Sequence, residues 1–88
     1  MFKDKNNYII IEPDEYLVNI SDSLNELESV RIKKRNVEDI NLYGNEVIII
    51  TSTKTKGKTI EEEFILSFIN EDYAKEAKEE LEELLDWI

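Results

Sequence analysis

The side chains best placed to bind a partner are carboxylates near the end of the chain. Six of them recur at helical spacing on one side of a predicted helix: Asp72, Glu76, Glu79, Glu80, Glu83 and Asp86. Such a row can attract a basic surface, with an attraction that weakens as the salt concentration rises. We call these six residues the acidic face. The alternative is a solvated surface that keeps the protein soluble.

Trp87 lies at the flank of the acidic face when the sequence is projected on a helix, between Glu80 and Glu83. Tryptophan is enriched among the residues that dominate protein interfaces, so Trp87 is a candidate anchor for a partner. The alternatives are that the N-terminal segment covers it or that the last helical turn frays.

Two basic clusters are candidate anion-binding sites. They consist of Arg31, Lys33, Lys34 and Arg35, and of Lys54, Lys56 and Lys58. Alternation along a strand would divide the first cluster between two faces of a sheet. Lysines at a hairpin tip or sheet edge also discourage aggregation between edges, which is the alternative reading of the second cluster.

The composition offers little for catalysis or metal binding. The chain has no histidine and no cysteine, which removes zinc sites and the common nucleophile systems that use these residues. Within Glu61-Glu62-Glu63, alternation puts only Glu61 and Glu63 on one face, and no calcium-type loop is present. We therefore expect no enzyme activity, no cofactor and no metal site.

The charge is distributed unevenly along the 88 residues, which have a net charge of −10. Residues 1–59 contain ten acidic and nine basic residues, whereas residues 60–88 contain eleven acidic and two basic residues. The last strand and helix therefore carry −9 of the total. The length predicts a single domain over residues 1–88. The absence of a long apolar run and of cysteine predicts a cytoplasmic protein.

The first third of the chain predicts two strands and an ambiguous segment. Residues 8–12 are β-branched and aromatic, and Pro13-Asp14 ends this strand. Alternation at residues 16–20 suggests a second strand that forms a hairpin with the first. In residues 21–30, apolar residues recur every three or four positions, which favours one or two helical turns capped by Ser21. The alternative is a loop that leads into a strand at residues 29–34.

The remainder predicts two hairpins and a helix. Residues 39–43 and 46–52 flank Gly44-Asn45, a typical hairpin turn, and residues 47–50 are apolar on both faces, as in a central strand covered on two sides. The chain returns from a lysine-rich tip as a strand over residues 59–69. A helix over residues 70–88 follows, capped by Asn70. Its apolar stripe consists of Ala74, Ala77, Leu81, Leu84, Leu85 and Ile88.

These elements predict an α+β fold. We expect a small antiparallel sheet or a partly open β-barrel of about five or six strands, packed by one C-terminal amphipathic helix.

The order of elements in residues 29–88 resembles the second part of a bacterial pleckstrin-homology-like domain. The resemblance consists of antiparallel strands, a long hairpin over residues 47–69 and an amphipathic helix. The helix begins Asn70-Glu71-Asp72-Tyr73-Ala74 and runs into Leu81, Leu84 and Leu85. The resemblance implies a partly open barrel plugged by a helix, used to bind proteins or anionic lipid headgroups.

The leading functional hypothesis is a non-enzymatic module that binds a basic protein surface through the acidic face and Trp87. The first alternative is an inhibitor that mimics nucleic acid and blocks a nucleic-acid-binding enzyme. Phage-encoded anti-restriction and anti-CRISPR inhibitors are similar in being small and acidic, and the similarity is one of composition. A third hypothesis is binding of anionic lipid headgroups by the basic clusters. Direct binding of nucleic acid is disfavoured because the net charge has the wrong sign.

Overall fold

The computed structural model describes residues 1–88 as eight strands and one helix. In chain order the strands are β1 (Phe2–Lys5), β2 (Tyr8–Ile11), β3 (Leu17–Ser21), β4 (Glu26–Leu27), β5 (Val30–Lys33), β6 (Val37–Tyr43), β7 (Glu46–Thr55) and β8 (Lys58–Phe68). The helix is α1 (Glu71–Leu84), and a 3₁₀ turn at Lys34–Asn36 joins β5 to β6.

The strands form two antiparallel sheets. The small sheet has the order β1-β2-β5, and the large sheet has the order β4-β3-β8-β7-β6. They are not closed into a barrel. The predicted α+β class with a packed C-terminal helix is confirmed. The single helix has 14 residues and is too short and too polar to span a membrane.

One face of the large sheet supports the core. In β7, Val47 and Ile49 are buried, and their partners across β8 are Leu66 and Phe64. The small sheet contributes four apolar side chains and α1 three, all in the same cluster; these are Ile9, Ile11, Val30, Ile32, Ala74, Ala77 and Leu81. The opposite face of β7, with Ile48 and Ile50, is only half-buried. Thus β7 is an interior strand between β8 and β6, as its apolar sequence predicted, but it is fully covered on one side alone.

The hairpin between β6 and β7 has the predicted turn. Tyr43 pairs with Glu46 around Gly44-Asn45, and Gly44 has a φ of 58°. Of the two turn residues, Gly44 has a positive φ and Asn45 does not, as in a type II′ turn. Asn45 instead binds the neighbouring strand: its Nδ2 donates a hydrogen bond of 2.8 Å to the carbonyl oxygen of Phe68.

The predicted hairpin between residues 8–12 and 16–20 is wrong. Both strands exist, but β2 belongs to the small sheet and β3 to the large one. The partner of β3 is β8, with Ile20 opposite Leu66 and Ser21 opposite Ile65. The register shifts between Leu17 and Asn19, which leaves Val18 exposed.

The prediction of helical turns in residues 21–30 is also wrong. The alternative is observed: a loop, interrupted by the two-residue β4, leads into the strand β5. The carboxylate of Asp22 accepts hydrogen bonds from the backbone N–H groups of Leu24 and Asn25, both 2.8 Å. This local turn competes with a helical cap. Leu24, one of the apolar residues whose spacing suggested a helix, is 86% exposed. Val30 is buried as the first residue of β5, in which buried and exposed residues alternate.

The final helix is shorter than the predicted span of residues 70–88. It is capped as expected, since the Oδ1 atom of Asn70 accepts a hydrogen bond of 3.1 Å from the N–H of Tyr73. The helix ends at Leu84, and Asp86 adopts a φ of 59°. Ile88 is 73% exposed, so its assignment to the apolar stripe is wrong.

Candidate functional site

The acidic face is displayed on the solvent side of α1. Asp72, Glu76, Glu79, Glu80 and Glu83 are all exposed, opposite the buried side chains of the helix. This arrangement follows from the helical period, because residues three and four positions apart share one face. The core therefore holds the backbone that carries these five carboxylates.

The carboxylates of the acidic face form no ion pair within the molecule. The one ion pair within α1 joins the Nζ atom of Lys78 to a carboxylate oxygen of Glu82, at 3.3 Å. Lys75 lies one helical turn from both Glu71 and Glu79 but forms an ion pair with neither. The five helical carboxylates of the face are consequently free to meet an external cation.

Asp86 and Trp87 lie outside the helix. The N–H of Asp86 donates to the carbonyl of Glu83 at 3.0 Å, and the N–H of Trp87 donates to that of Glu82 at 2.8 Å. These two bonds define a Schellman motif, in which a left-handed residue ends the helix and redirects the chain. The helical projection of Trp87 between Glu80 and Glu83 is therefore wrong. Its side chain is 42% exposed just beyond the end of the acidic face.

An aromatic pair fixes the first turn of α1 to the loop before β3. The rings of Tyr16 and Tyr73 stack with centroids 4.4 Å apart and planes inclined by 25°. The negative charge of Glu15, and then the neighbouring Tyr73, raise the pKa of the Tyr16 phenol. The stack thus adds a lateral contact to the core contacts of the helix.

Three of the four residues of the first basic cluster gather around one hollow. Because β5 ends at Lys33 and the 3₁₀ turn follows at once, Lys33, Lys34 and Arg35 line a hollow of about 350 Å³ together with Asn6 and Asn7. The expected division of the charges between two sheet faces is therefore wrong for these three residues. The two asparagines were not predicted as part of this site, because the turn between β1 and β2 that holds them was not predicted.

Two members of this cluster already have partners. The guanidinium of Arg31 lies 3.7 Å from the centroid of the Tyr8 ring. The Nζ atom of Lys34 is 2.6 Å from a carboxylate oxygen of Asp4, and this hydrogen bond lowers the pKa of Asp4. An anion in the hollow would have to compete with Asp4 for Lys34.

The outer face of the small sheet is basic, which the sequence analysis also missed. Lys3 and Lys5 of β1 pair with Ile10 and Tyr8 of β2, which in turn pair with Arg31 and Lys33 of β5. Directly paired residues share a face, so four cations lie on one surface. The alternation of Lys3 and Lys5 was the available signal. Glu12 offsets Lys3, with 2.7 Å between their charged atoms, and its pKa is lowered by that hydrogen bond.

The second basic cluster lies on the end of the hairpin formed by β7 and β8. Lys56 and Gly57 form its turn, with φ values of 50° and 77°. Lys54 shares a hollow of about 410 Å³ with Lys33 and Arg35, whereas Lys56 and Lys58 lie exposed at the tip. The structure therefore brings together only part of the two clusters.

Alternation along β8 puts Glu62 on the face opposite Glu61 and Glu63, although all three line a hollow of about 510 Å³ at the strand edge. Glu62 faces a hollow of about 250 Å³ that Arg31 and Lys33 also line. Glu61 and Glu63 pair with Ser52 and Ile50 on the opposite face of the sheet. No group of three or more acidic side chains is arranged to hold a metal ion.

Comparisons with models of protein families, with characterised proteins and with solved structures find no match to this chain. The resemblance to pleckstrin-homology-like domains therefore stays a prediction. The arrangement seen here is two open sheets and a helix that displays five carboxylates without intramolecular ion pairs.

Proposed function

We propose that this protein is a non-enzymatic interaction module of the cytoplasm that binds a basic surface of another protein through the acidic face. The observation that carries the proposal is the set of exposed helical carboxylates without an ion pair, fixed by a buried stripe on the other side of α1. Trp87, 42% exposed and three residues beyond the end of α1, is the aromatic side chain that we assign to the same contact.

The fixed backbone supports binding because fewer degrees of freedom are lost when a partner docks. The stripe of Ala74, Ala77 and Leu81 holds the middle of α1, Asn70 caps its start and the Schellman motif closes its end. Only the glutamate side chains remain to be ordered.

The charge distribution supports a basic partner. Residues 60–88 carry −9, and five of these charges project from one side of α1. At physiological salt, exposed charges act over roughly 8 Å, so a partner at the acidic face responds to this local charge. Complementary charges of this kind chiefly increase the association rate and the selectivity.

The test begins with an affinity pull-down from the native cell lysate to identify the partner, followed by titration calorimetry. Replacing Glu76, Glu80 and Glu83 by Lys should weaken binding at least tenfold, and salt should weaken the binding of the unchanged protein. A matched control replaces Glu26, Glu28 and Glu38 by Lys; these exposed residues lie outside the helix and change the net charge equally. Equal affinities of the face variant and the unchanged protein would refute the proposal.

A second candidate is a nucleic-acid mimic that inhibits a nucleic-acid-binding enzyme. The regular row on α1 favours it, since carboxylates one turn apart present negative charge about every 5–6 Å along the axis. The expected result is competition between this protein and DNA or RNA for the captured partner. Simultaneous binding of both would exclude the mimic, and loss of binding on Trp87→Ala alone would indicate an ordinary hydrophobic interface.

A further inference from the structure

The outer part of the β7–β8 hairpin has no neighbouring strand on either side. Pairing of β6 with β7 stops at Val37 and Thr51, and pairing of β3 with β8 stops at Ser21 and Ile65. Beyond these points β7 and β8 continue to pair with each other as far as Thr55 and Lys58. We call residues 52–64 the arm.

Both edges of the arm carry open backbone groups. The pair that flanks a two-residue hairpin turn is hydrogen-bonded, and here it is Thr55 and Lys58. Along an antiparallel hairpin, hydrogen-bonded pairs alternate with pairs whose N–H and C=O groups point away from the partner strand. Counting back from the turn, the outward-pointing residues are Ser52 and Lys54 on β7 and Thr59, Glu61 and Glu63 on β8. Open groups of this kind form a template for another strand.

The two edges have opposite charge. Beside the β7 edge, the hollow of about 410 Å³ is lined by Lys33, Arg35 and Lys54, with Glu38 as its only acid. Beside the β8 edge, a hollow of about 510 Å³ is lined by four acids and no base; the acids are Asp22, Glu61, Glu62 and Glu63. The exposed side chain of Leu24 also lines this second hollow.

These charges select which edges can meet. Two β7 edges would bring lysine and arginine against each other, and two β8 edges would bring glutamate against glutamate, so like edges repel. A β7 edge and a β8 edge attract and also satisfy each other's open backbone groups.

We propose that the β7 edge of the arm binds the β8 edge of the arm of a second copy of this chain. The contact is heterologous, which leaves one free edge of each kind at the ends of the assembly, so that further copies can add. The open stretches are short, and the contact is weak and depends on protein concentration. This inference uses a surface other than the acidic face and does not depend on the proposed function.

The test is the weight-average mass from sedimentation equilibrium, measured over a range of protein concentrations at low and physiological salt. We expect the mass to rise above the 10.4 kDa of one chain as the concentration increases. A chain that remains at the monomer mass at the highest soluble concentration in both salts would overturn the proposal.

Charge reversal of the β8 edge is the decisive variant. Glu61→Lys with Glu63→Lys makes the net charge less negative, so general charge repulsion between copies would fall and any nonspecific association would increase. The proposal requires the opposite, a loss of self-association, because two lysines then offset Asp22 and Glu62 at the β8 edge, which no longer attracts the basic β7 edge. Increased or unchanged association would overturn the proposal.

The complementary variant is Arg35→Glu with Lys54→Glu, which makes both edges acidic. It should be monomeric alone but form mixed assemblies with the Glu61→Lys, Glu63→Lys variant, seen as an increase in mass on mixing. No increase on mixing would contradict pairing between unlike edges.

Two further variants separate the backbone and helix contributions. Ser52→Pro removes an outward N–H without changing the charge and should reduce self-association, whereas association as in the unchanged protein would contradict strand addition. The helix variant Glu76→Lys, Glu80→Lys, Glu83→Lys should still associate through the arm. If it alone lost self-association, the acidic face and not the arm would be the contact. Circular dichroism of every variant confirms that it is folded.

Discussion

Asp86 ends the helix in a conformation that few residue types adopt readily. Its φ of 59° lies in the left-handed region, where most L-residues are strained and glycine is not. Asp86 also carries a negative charge at the negative end of the helix dipole. Both the backbone conformation and the charge at this position therefore reduce stability.

We expect Asp86→Gly to stabilise the protein by about 0.5–1 kcal/mol, because glycine relieves the left-handed strain. The measurement is the free energy of unfolding from urea denaturation. Asp86→Ala is the matched control, since it removes the same charge but keeps a Cβ atom. Equal stabilities of the two variants would show that only the charge mattered.

Asp14 holds the turn between β2 and β3. Its carboxylate accepts hydrogen bonds of 2.8 Å from the N–H groups of Leu17 and Tyr16, which lower its pKa. Because the pKa is lower in the folded state, the charged carboxylate stabilises the fold fully when the pH is above the unfolded pKa of about 3.9. This stabilisation is lost as the pH falls through the folded pKa.

Asp14→Ala should therefore cost about 1 kcal/mol near neutral pH and much less in strong acid. Unfolding free energies of both proteins across this pH range check the expectation. Asp14→Asn keeps an oxygen acceptor and does not titrate, so its stability relative to Asp14→Ala should be nearly independent of pH. A loss for Asp14→Ala that stayed constant down to the most acidic pH would contradict the role of the charge.

At the level of elements, the sequence was informative wherever the interactions are local. Gly44-Asn45 and Asn70 fix a turn and a helix start through their own backbone preferences, and both were predicted. The helix end was not, because Asp86 in a left-handed conformation has no strong sequence signal. The turn at Asp22 was missed because the apolar period around it matched a helix equally well.

The partners of the strands could not be read from the sequence. β2 and β3 are adjacent in the chain, yet each pairs elsewhere, because Pro13 and the turn at Asp14 carry the chain from one sheet to the other. The same limit applied to the basic hollow, which joins the turn at Asn6 and Asn7 to residues near Lys34, far away in the sequence.

The arm should behave as a separately opening element. The N–H groups of Thr53 and Thr55 point toward β8 but have little packing around them, whereas those of Val47 and Ile49 lie in the core region. Hydrogen exchange followed by NMR should show much faster exchange at the first pair than at the second. A dilute sample avoids protection by self-association, and equal protection of the two pairs would contradict independent opening.

At the level of the whole molecule, charge is separated by element. The small sheet and the 3₁₀ turn hold six of the eleven basic residues, whereas the acids concentrate on α1 and β8. The net charge of −10 still opposes compaction, and exposed like charges repel each other more strongly at low salt.

Added sodium chloride should therefore raise the melting temperature near neutral pH by about 5 °C, which corresponds to roughly 1 kcal/mol for a domain of this size. Thermal unfolding followed by circular dichroism is the measurement. Near pH 4.4, where the sequence has no net charge, the increase should largely disappear. A melting temperature that fell with salt at neutral pH would mean that attractive pairs outweigh the repulsion.

The pairing of β3 with β8 also sets the order in which the molecule can be completed during synthesis. Ser21 leaves the ribosome 44 residues before its partner Ile65, and β8 lies between β3 and β7 in the finished sheet. The β6–β7 hairpin can form early, but β3 has no neighbour within the large sheet except the two-residue β4 until β8 emerges. The nascent chain therefore carries β3, which is largely apolar and paired only with the short β4, while 44 further residues are made. The large sheet is completed only when its central strand, β8, inserts between β3 and β7.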